Sequence, residues 1–381
     1  MIRFKFLIFY IHFLLFIIQQ LALPDAIISI AKLCIALLYV ISLVVYTQSP
    51  GKGFTVKELI ILGALAILVL LKFVFIYSFN IPLVYWVLLC LMVTKMEWTQ
   101  QELLALINQV AIIYFVVAVV LNYTPFHFLS VYEHRDLYNR FIPQIGRFIG
   151  LEGSPAGPDL LYTLVFIFNL FSGWKKQLFK LPMILSIIVL LWTASLSNIV
   201  AMVLAVIAYV IYPFRSSYAF LLMMTFSITV YAANRFGSGV LLAMDQFTSY
   251  RTSIWVSITN SLVQENSIGQ WLFGRDELMQ FESIFGEGFD ANPHNLSLFT
   301  LQFLGVPAFL SIVFLICYKI RTMAKGKWFF ITMFLVAYGV TNPMPFTLRG
   351  DPMVMYVFIL CFVMYTQDIK KEKFGELKLT A

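Results

Sequence analysis

Apolar runs long enough to cross a lipid bilayer recur along the whole of this 381-residue chain. A helix needs about 20 consecutive, mainly apolar residues to span the hydrocarbon core of about 30 Å. Because 61% of the residues are hydrophobic and only 12% are charged, the composition excludes a soluble globular domain. The sequence therefore predicts an all-α fold, in which residues 1–381 form one integral membrane domain.

Twelve membrane helices are predicted, and short connections join most of them. They occupy residues 4–22, 25–46, 57–77, 79–95, 104–122, 159–173, 177–193, 196–213, 217–232, 294–318, 327–345 and 351–366. The first resembles a signal peptide, because Arg3 and Lys5 precede its apolar stretch. That stretch is long for a cleaved leader and no small-x-small site follows it, so we expect a retained helix.

Lysine and arginine are unevenly divided between the two sides of this predicted bundle. With both termini cytoplasmic, the inner side and the tail 367–381 carry seventeen of them, against seven outside. Membrane proteins concentrate positive charge in their cytoplasmic loops, which favours this orientation. Topology then explains most of the net charge of +7, and no nucleic-acid partner is needed.

Two connections are long, 123–158 and 233–293, and both lie outside in this orientation. Loops of such length are usually functional or disordered, and aromatic residues with Gly and Pro favour an ordered, functional loop here. All basic residues of Lys or Arg type on the outer side are arginines: Arg135, Arg140, Arg147, Arg235, Arg251, Arg275 and Arg349. A guanidinium matches two phosphate oxygens at once, which a lysine cannot do. The pattern indicates an outward-facing site for a phosphorylated or pyrophosphorylated substrate.

The second long loop is predicted to contain its own helix, over 248–264. Apolar residues recur there at helical spacing, namely Ile254, Ile258 and Leu262. Arg251 and Trp255 are four residues apart and share one face. Lying on the outer interface, such an amphipathic helix would hold Arg251 near the depth of the lipid headgroups.

The segment Asn292-Pro293-His294-Asn295 opens the tenth predicted helix. Asp290 or Asn292 could cap this helix, and Pro293 suits a first turn, where a missing N–H is harmless. His294 is then expected in the first turn, at the outer mouth of the bundle. The helix dipole disfavours an imidazolium there, so the neutral ring could accept a proton. A histidine at a membrane interface is, however, more often a hydrogen-bonded polar residue without a catalytic role.

His294-Asn295, followed after nine residues by Gly305, resembles the signature of the bacterial O-antigen ligase and Wzy-type polysaccharide polymerase superfamily. Upstream, Arg251 with Trp255 and then Leu272-Phe273-Gly274 resemble that family's large periplasmic loop in order and spacing. Arg147-Phe148-Ile149-Gly150 resembles its other external segment that carries an arginine. The resemblance covers roughly residues 140–320.

Two segments depart from the pattern of that family. Ala194-Ser195-Leu196-Ser197-Asn198 stands where the family often has Ser-Arg-Gly, so no arginine is present there. Gly274-Arg275-Asp276 replaces the Gly-x-Gly that follows the Leu-Phe-Gly position. Roles that belong to those family positions cannot be transferred, although Arg275 could supply a charge.

The resemblance implies an undecaprenyl-diphosphate-linked oligosaccharide as substrate, presented at the periplasmic face of the bacterial inner membrane. It implies an inverting glycosyl transfer without metal or cofactor, with the lipid diphosphate as leaving group. Arg147 and Arg251 are the first candidates for binding the diphosphate, ahead of Arg275, Arg140, Arg135 and Arg349. His294 would orient or deprotonate the acceptor hydroxyl, supported by Asn295 and Trp255. Glu152 and Asp159 border the Arg147 segment and could pair with it or act as a base.

Three functions fit these features. The favoured one is a polymerase of lipid-linked repeat units, such as those of O-antigen or capsule, for which a chain-length regulator is a candidate partner. An O-antigen ligase would use the same donor but transfer the chain to the lipid A core. A flippase for the same lipid-linked sugar is less favoured, because transporters keep polar groups at the bilayer midplane and have repeated halves. This chain has no internal repeat and concentrates its polar residues in two outer loops.

Overall fold

The computed structural model of the chain describes residues 23–47, 100–124, 147–148, 156–171, 180–236, 251–265, 267–275, 280–283, 286–290 and 295–341, with scattered positions at 7–21, 63–74, 239 and 243. The described residues are mostly helical, which confirms the helical character of the predicted fold. The chain divides into two compact units that interleave along the sequence. Unit 1 comprises 1–54, 82–198 and 348–381, and unit 2 comprises 55–81 and 199–347.

The helices of the described part are α1 Asp25–Thr47, α2 Gln100–Tyr123, α3 Ala156–Phe171, α4 Leu181–Thr193, α5 Leu196–Val210, α6 Arg215–Met223, α7 Thr225–Phe236, α8 Arg251–Glu265, α9 Ile268–Phe273, α10 Leu296–Thr322 and α11 Lys327–Thr341. A 3₁₀ turn, Tyr212–Phe214, joins α5 to α6. The strands β1 Gln280–Ser283 and β2 Gly286–Asp290 pair antiparallel. This hairpin falls in the long loop 233–293, where the all-α prediction had no strand.

Most predicted helices on described residues are found close to their predicted positions. The predicted helix 217–232 is divided into α6 and α7, which meet at an angle of 55°. The Thr225 hydroxyl donates to the Leu221 carbonyl at this break (3.1 Å), and such bonds compete with the helical backbone pattern. The helices predicted at 4–22, 57–77, 79–95 and 351–366 lie wholly or largely outside the described residues.

Two helices of the described part are long and apolar enough to cross a membrane, Leu104–Tyr123 and Leu296–Thr322. The number rises to four if each of two bent pairs, α4 with α5 and α6 with α7, is one span. The structure therefore agrees with a membrane protein by helix length and composition. The count of twelve spans remains a prediction.

The core of unit 1 is formed by α2, α3 and α4, which pack on one another. Two tyrosines in this core, Tyr114 and Tyr162, are fully buried, and the Tyr162 hydroxyl donates to the Ala111 carbonyl at 2.5 Å. Asn108 and Asn169 exchange amide hydrogen bonds of 3.2 and 2.7 Å between α2 and α3. Polar side chains on neighbouring apolar helices commonly satisfy one another in this way.

The core of unit 2 is formed by α6, α10 and α11, with α8 packed on α7. Phe303, Phe329 and Tyr338 are fully buried among these helices. Inside α10 the backbone leaves the helical conformation at Gly305, two residues before Pro307. This helix therefore consists of two helical pieces, and the break between them positions part of the candidate site.

Candidate functional site

The two motifs that the sequence singles out in unit 2 lie against each other. Leu272-Phe273-Gly274 ends α9, and Gly305 breaks α10. A Cβ atom added to Gly274 would lie 2.2 Å from the Phe303 carbonyl carbon, and one added to Gly305 would lie 2.5 Å from the Leu272 carbonyl oxygen. Both glycines have positive φ, +78° and +79°, which disfavours any side chain. The contact thus requires glycine on both sides.

Local interactions form α9 and attach it to α10. Ser267 and Gln270 make a capping box: the Gln270 amide N–H donates to Ser267 Oγ (3.3 Å), and the Ser267 amide N–H donates to Gln270 Oε1 (2.9 Å). Beyond the helix, the Arg275 amide N–H donates to the Gln302 carbonyl at 2.7 Å. The backbone of Arg275 is therefore fixed beside the N-terminal half of α10.

Asn295, not Asp290 or Asn292, caps α10, so the predicted start of this helix is corrected. Its Oδ1 accepts from the Leu298 amide and its Nδ2 donates to the Val340 carbonyl, both at 2.9 Å. Asn295 is buried and its backbone is extended, with φ −149° and ψ 123°. His294 therefore precedes the cap. The prediction that it lies in the first turn of the helix is wrong. His294 itself lies outside the described residues.

Arg251 is the first residue of α8, the helix predicted inside the second long loop. Trp255, Ile258 and Leu262 are buried on one face of α8, and that helix contacts α7 and α10. Protein, rather than lipid, therefore covers the apolar face that the sequence assigns to the membrane interface. Arg251 is half-buried at the start of this helix, so its position is fixed by the same packing.

Arg147 lies in unit 1, where its side chain meets the end of α4. Its Nε donates to the Thr193 carbonyl at 2.5 Å. Backbone carbonyls at a helix C-terminus lack helical partners and carry partial negative charge, so an arginine is a favourable ligand for them. Ala194 follows with a left-handed backbone (φ 50°) and ends the helix. One nitrogen of Arg147 thus has a structural role.

Asp159, near the start of α3, is buried beside Arg147. Its Oδ1 accepts from Thr193 Oγ1 (3.0 Å) and Asn198 Nδ2 (3.3 Å), and the guanidinium of Arg147 attracts it electrostatically. Asp159 Oδ2 and Asn198 Oδ1 are buried without a hydrogen-bond partner in the described part of the chain. The segment 194–198, which lacks the arginine of the family pattern, therefore lies beside a cluster that contains Arg147.

An aromatic group holds the backbone of the Arg147 segment. Phe148 is fully buried and stacks on Tyr123 and Phe115, with ring centroids 5.9 and 5.8 Å apart, while Trp192 packs at 5.0 Å. The Tyr123 hydroxyl donates to the Arg147 carbonyl at 3.0 Å. The Phe148 amide N–H donates to the Trp192 carbonyl at 3.2 Å. Arg147 is consequently presented from a fixed segment.

The described residues of the predicted site are divided between the two units. Arg251, Trp255, Arg275 and Asn295 belong to unit 2, and Arg147 belongs to unit 1. Arg135, Arg140, Arg349 and His294 lie outside the described residues. The convergence of Arg147, Arg251 and His294 on one crevice remains a prediction.

Gln302 is a candidate that the sequence reasoning missed. It is fully buried, and within the described chain neither its side-chain oxygen nor its nitrogen has a hydrogen-bond partner. It lies in the N-terminal piece of α10, between the cap at Asn295 and the break at Gly305. Leaving buried polar groups unpaired costs about 1–3 kcal/mol, which a bound ligand would offset. The sequence could have identified Gln302, because a polar residue inside a predicted membrane helix is a functional candidate.

Comparisons of the chain with protein-family models, with curated proteins and with solved structures find no match.

Proposed function

We propose that this protein is an inverting, metal-independent glycosyltransferase that polymerises polyprenyl-diphosphate-linked oligosaccharide repeat units at the periplasmic face of the bacterial inner membrane. One observation carries the proposal. The two motifs of the resemblance, Leu272-Phe273-Gly274 and Asn295 to Gly305, pack together through backbone contacts that only glycine permits. These two motifs are separated in sequence but are in contact, as is expected if both belong to one site. Arg275 lies beside them.

The chemistry follows from the charge that develops during transfer. The bond between the anomeric carbon of the donor sugar and the diphosphate oxygen breaks, and the acceptor hydroxyl oxygen bonds to that carbon from the opposite face. His294 takes the hydroxyl proton, and the polyprenyl diphosphate leaves with the bonding electrons. Guanidinium groups fixed in advance stabilise this leaving group, because they need little reorganisation as its charge grows. Arg147 and Arg251 have this role, and Arg275 is the next candidate.

The described contacts favour a transferase over a transporter. Arg147 is held against the end of α4 that the predicted topology places outside. Asn295 caps the predicted outer end of α10. Secondary transporters bind their substrates near the bilayer midplane, often between repeated halves. An outer site suits chemistry on a substrate whose diphosphate lies at headgroup level.

The experiment that tests the function uses a bacterial strain lacking this gene, with and without the wild-type gene on a plasmid. Surface polysaccharide is resolved by length on a gel. If the protein is a polymerase, the deletion strain shows surface lipid with a single repeat unit and complementation restores the ladder. Bare core with long chains retained on the carrier lipid would instead identify a ligase. Purified protein that releases no polyprenyl diphosphate from a lipid-linked donor would contradict both.

Arg251→Lys is expected to lower the initial rate of polyprenyl diphosphate release by roughly a hundredfold, although the positive charge is kept. The physical reason is that lysine cannot make the two-pronged contact with phosphate oxygens. The rate is measured on purified protein in liposomes. Arg235→Lys is the matched control, since Arg235 is an exposed arginine in the last turn of α7. Equal losses in the two variants would count against a specific role for Arg251.

A further inference from the structure

Thr193, the last residue of α4, holds two opposite charges in place within unit 1. Its carbonyl accepts from Arg147 Nε at 2.5 Å, and its hydroxyl donates to Asp159 Oδ1 at 3.0 Å. The guanidinium and the carboxylate are therefore held beside one residue, at the end of a helix. They attract each other electrostatically, as opposite charges do at short range.

The carboxylate of Asp159 is also fixed by the start of α5. Asn198, in the first turn of that helix, donates from Nδ2 to Asp159 Oδ1 at 3.3 Å. The same amide donates to Thr163 Oγ1, one turn further along α3 from Asp159. Asp159 is only 1% exposed, so water and salt screen its charge much less than they would at the surface. A buried negative charge is thus held in a fixed position next to Arg147.

Arg147 is held in place by contacts that do not involve the charge of Asp159. The Tyr123 hydroxyl donates to the Arg147 carbonyl at 3.0 Å, and Arg147 Nε donates to the Thr193 carbonyl. Both contacts would remain if Asp159 were replaced by a neutral residue. We therefore expect such a replacement to leave the guanidinium in its position and to change the electrostatic potential around it.

A diphosphate bound at Arg147 would be attracted by the guanidinium and repelled by the buried carboxylate of Asp159. At an effective dielectric constant of about 20, two unit charges about 10 Å apart change a dissociation constant by roughly tenfold. The polyprenyl diphosphate product carries the same diphosphate group as the donor. Because tight binding of that product would slow its release, a negative charge beside Arg147 would raise the turnover rate.

We propose that Asp159 weakens the binding of diphosphate at Arg147 and thereby promotes release of the polyprenyl diphosphate product. The inference rests on the proposed function, in which Arg147 is a ligand of the diphosphate. Asp159 makes no contact with the substrate in this role and takes no proton from it. It acts by a fixed charge, which opposes part of the attraction that Arg147 exerts on an anion.

The test measures the dissociation constant of undecaprenyl diphosphate for the purified full-length protein in phosphatidylcholine nanodiscs, without an acceptor. Asp159→Asn is expected to bind this lipid about tenfold more tightly than wild type. The asparagine keeps an oxygen that can accept from Thr193 and Asn198, so the fold should be retained. Asp159→Ser, which is neutral but smaller, should change the dissociation constant in the same direction. Binding is measured at about pH 8, where a carboxyl group is more fully ionised than at neutral pH.

Glu102→Gln is the matched control, because it also removes one negative charge from unit 1. Glu102 lies in the first turn of α2, about 30 Å along that helix from Tyr123, and should therefore bind undecaprenyl diphosphate like wild type when replaced. During glycosyl transfer, added undecaprenyl diphosphate should inhibit Asp159→Asn at a concentration about tenfold lower than it inhibits wild type. A purely structural defect would instead weaken binding and lower the unfolding temperature.

The outcomes separate this inference from the proposed function. Equal dissociation constants in wild type and in both Asp159 variants would overturn the inference, while binding by wild type would still support the proposed function. Weaker binding in both variants, or an equal gain of affinity in Glu102→Gln, would overturn the inference as well. If wild type binds no undecaprenyl diphosphate, the inference and the proposed function both fail.

Discussion

Gly274→Ala is expected to destabilise unit 2 by about 3 kcal/mol or more. The alanine Cβ would lie 2.2 Å from both the carbon and the oxygen of the Phe303 carbonyl, and these are backbone atoms that cannot rotate away. The backbone at Gly274 also has φ +78°, where a side chain adds strain of about 1–3 kcal/mol. Overpacking costs a further 1–3 kcal/mol, roughly. The measurement is the thermal unfolding of the purified protein in detergent.

Gly326→Ala is the matched control for that substitution. A Cβ atom at Gly326 would have no atom within 4 Å, so its unfolding temperature should change little. Gly305→Ala should behave like Gly274→Ala, because its Cβ would meet the Leu272 carbonyl and the Phe273 amide nitrogen at 2.5 and 2.8 Å. If Gly274→Ala and Gly326→Ala unfold at the same temperature, the contact between α9 and α10 is not as close as the structure shows.

His294→Ala is expected to lower the rate of glycosyl transfer by about a hundredfold to ten-thousandfold, the usual contribution of one proton transfer. Diphosphate binding should be retained, because the arginines are unchanged. The fall should therefore be in kcat, with KM for the donor nearly constant. The initial rate of polyprenyl diphosphate release, measured against donor concentration, separates the two parameters.

His127→Ala is the control for the histidine, since His127 also lies in a predicted outer loop but belongs to no motif of the resemblance. It should transfer sugar at the wild-type rate. A wild-type rate for His294→Ala, at equal protein levels, would remove this histidine from the mechanism. Because Asn295 and not His294 caps α10, the substitution should leave the stability of the protein nearly unchanged.

The parts of the fold that the sequence predicts well are those in which a repeating local pattern decides the outcome. The helix over 248–264 is found at Arg251–Glu265, because the spacing of its apolar residues matches one helical face. What covers that face could not be predicted, since it depends on packing against α7, a neighbour chosen by the tertiary fold. The start of α10, at Leu296, lies two residues after the predicted start at 294 for a similar reason. Asn295 is selected as the cap by its bond to Val340 on α11.

The residues of the candidate site can be divided in the same way, into those that a local pattern identifies and those that depend on the tertiary fold. Arg251, Arg275 and Asn295 could be selected from residue type and motif order. Pairing of Asp159 with the Arg147 segment was among the expectations, because the two are near in sequence. The addition of Thr193 and Asn198 to this cluster could not be predicted, because they are more than thirty residues away from Asp159. Burial and unpaired atoms, as at Gln302, become visible only when neighbouring helices are in place.

The bonds at the two ends of α10 restrict how this helix can move. At one end Asn295 is bonded to the Val340 carbonyl, and at the other Arg215 is bonded to the carbonyls of Ile320 and Arg321. Between these anchors the helix is broken at Gly305. Because both ends of α10 are held by hydrogen bonds, a change in the shape of this helix is expected at the break. A change of angle within α10 would therefore occur at Gly305, where the helical backbone is already interrupted, while its two ends keep their places.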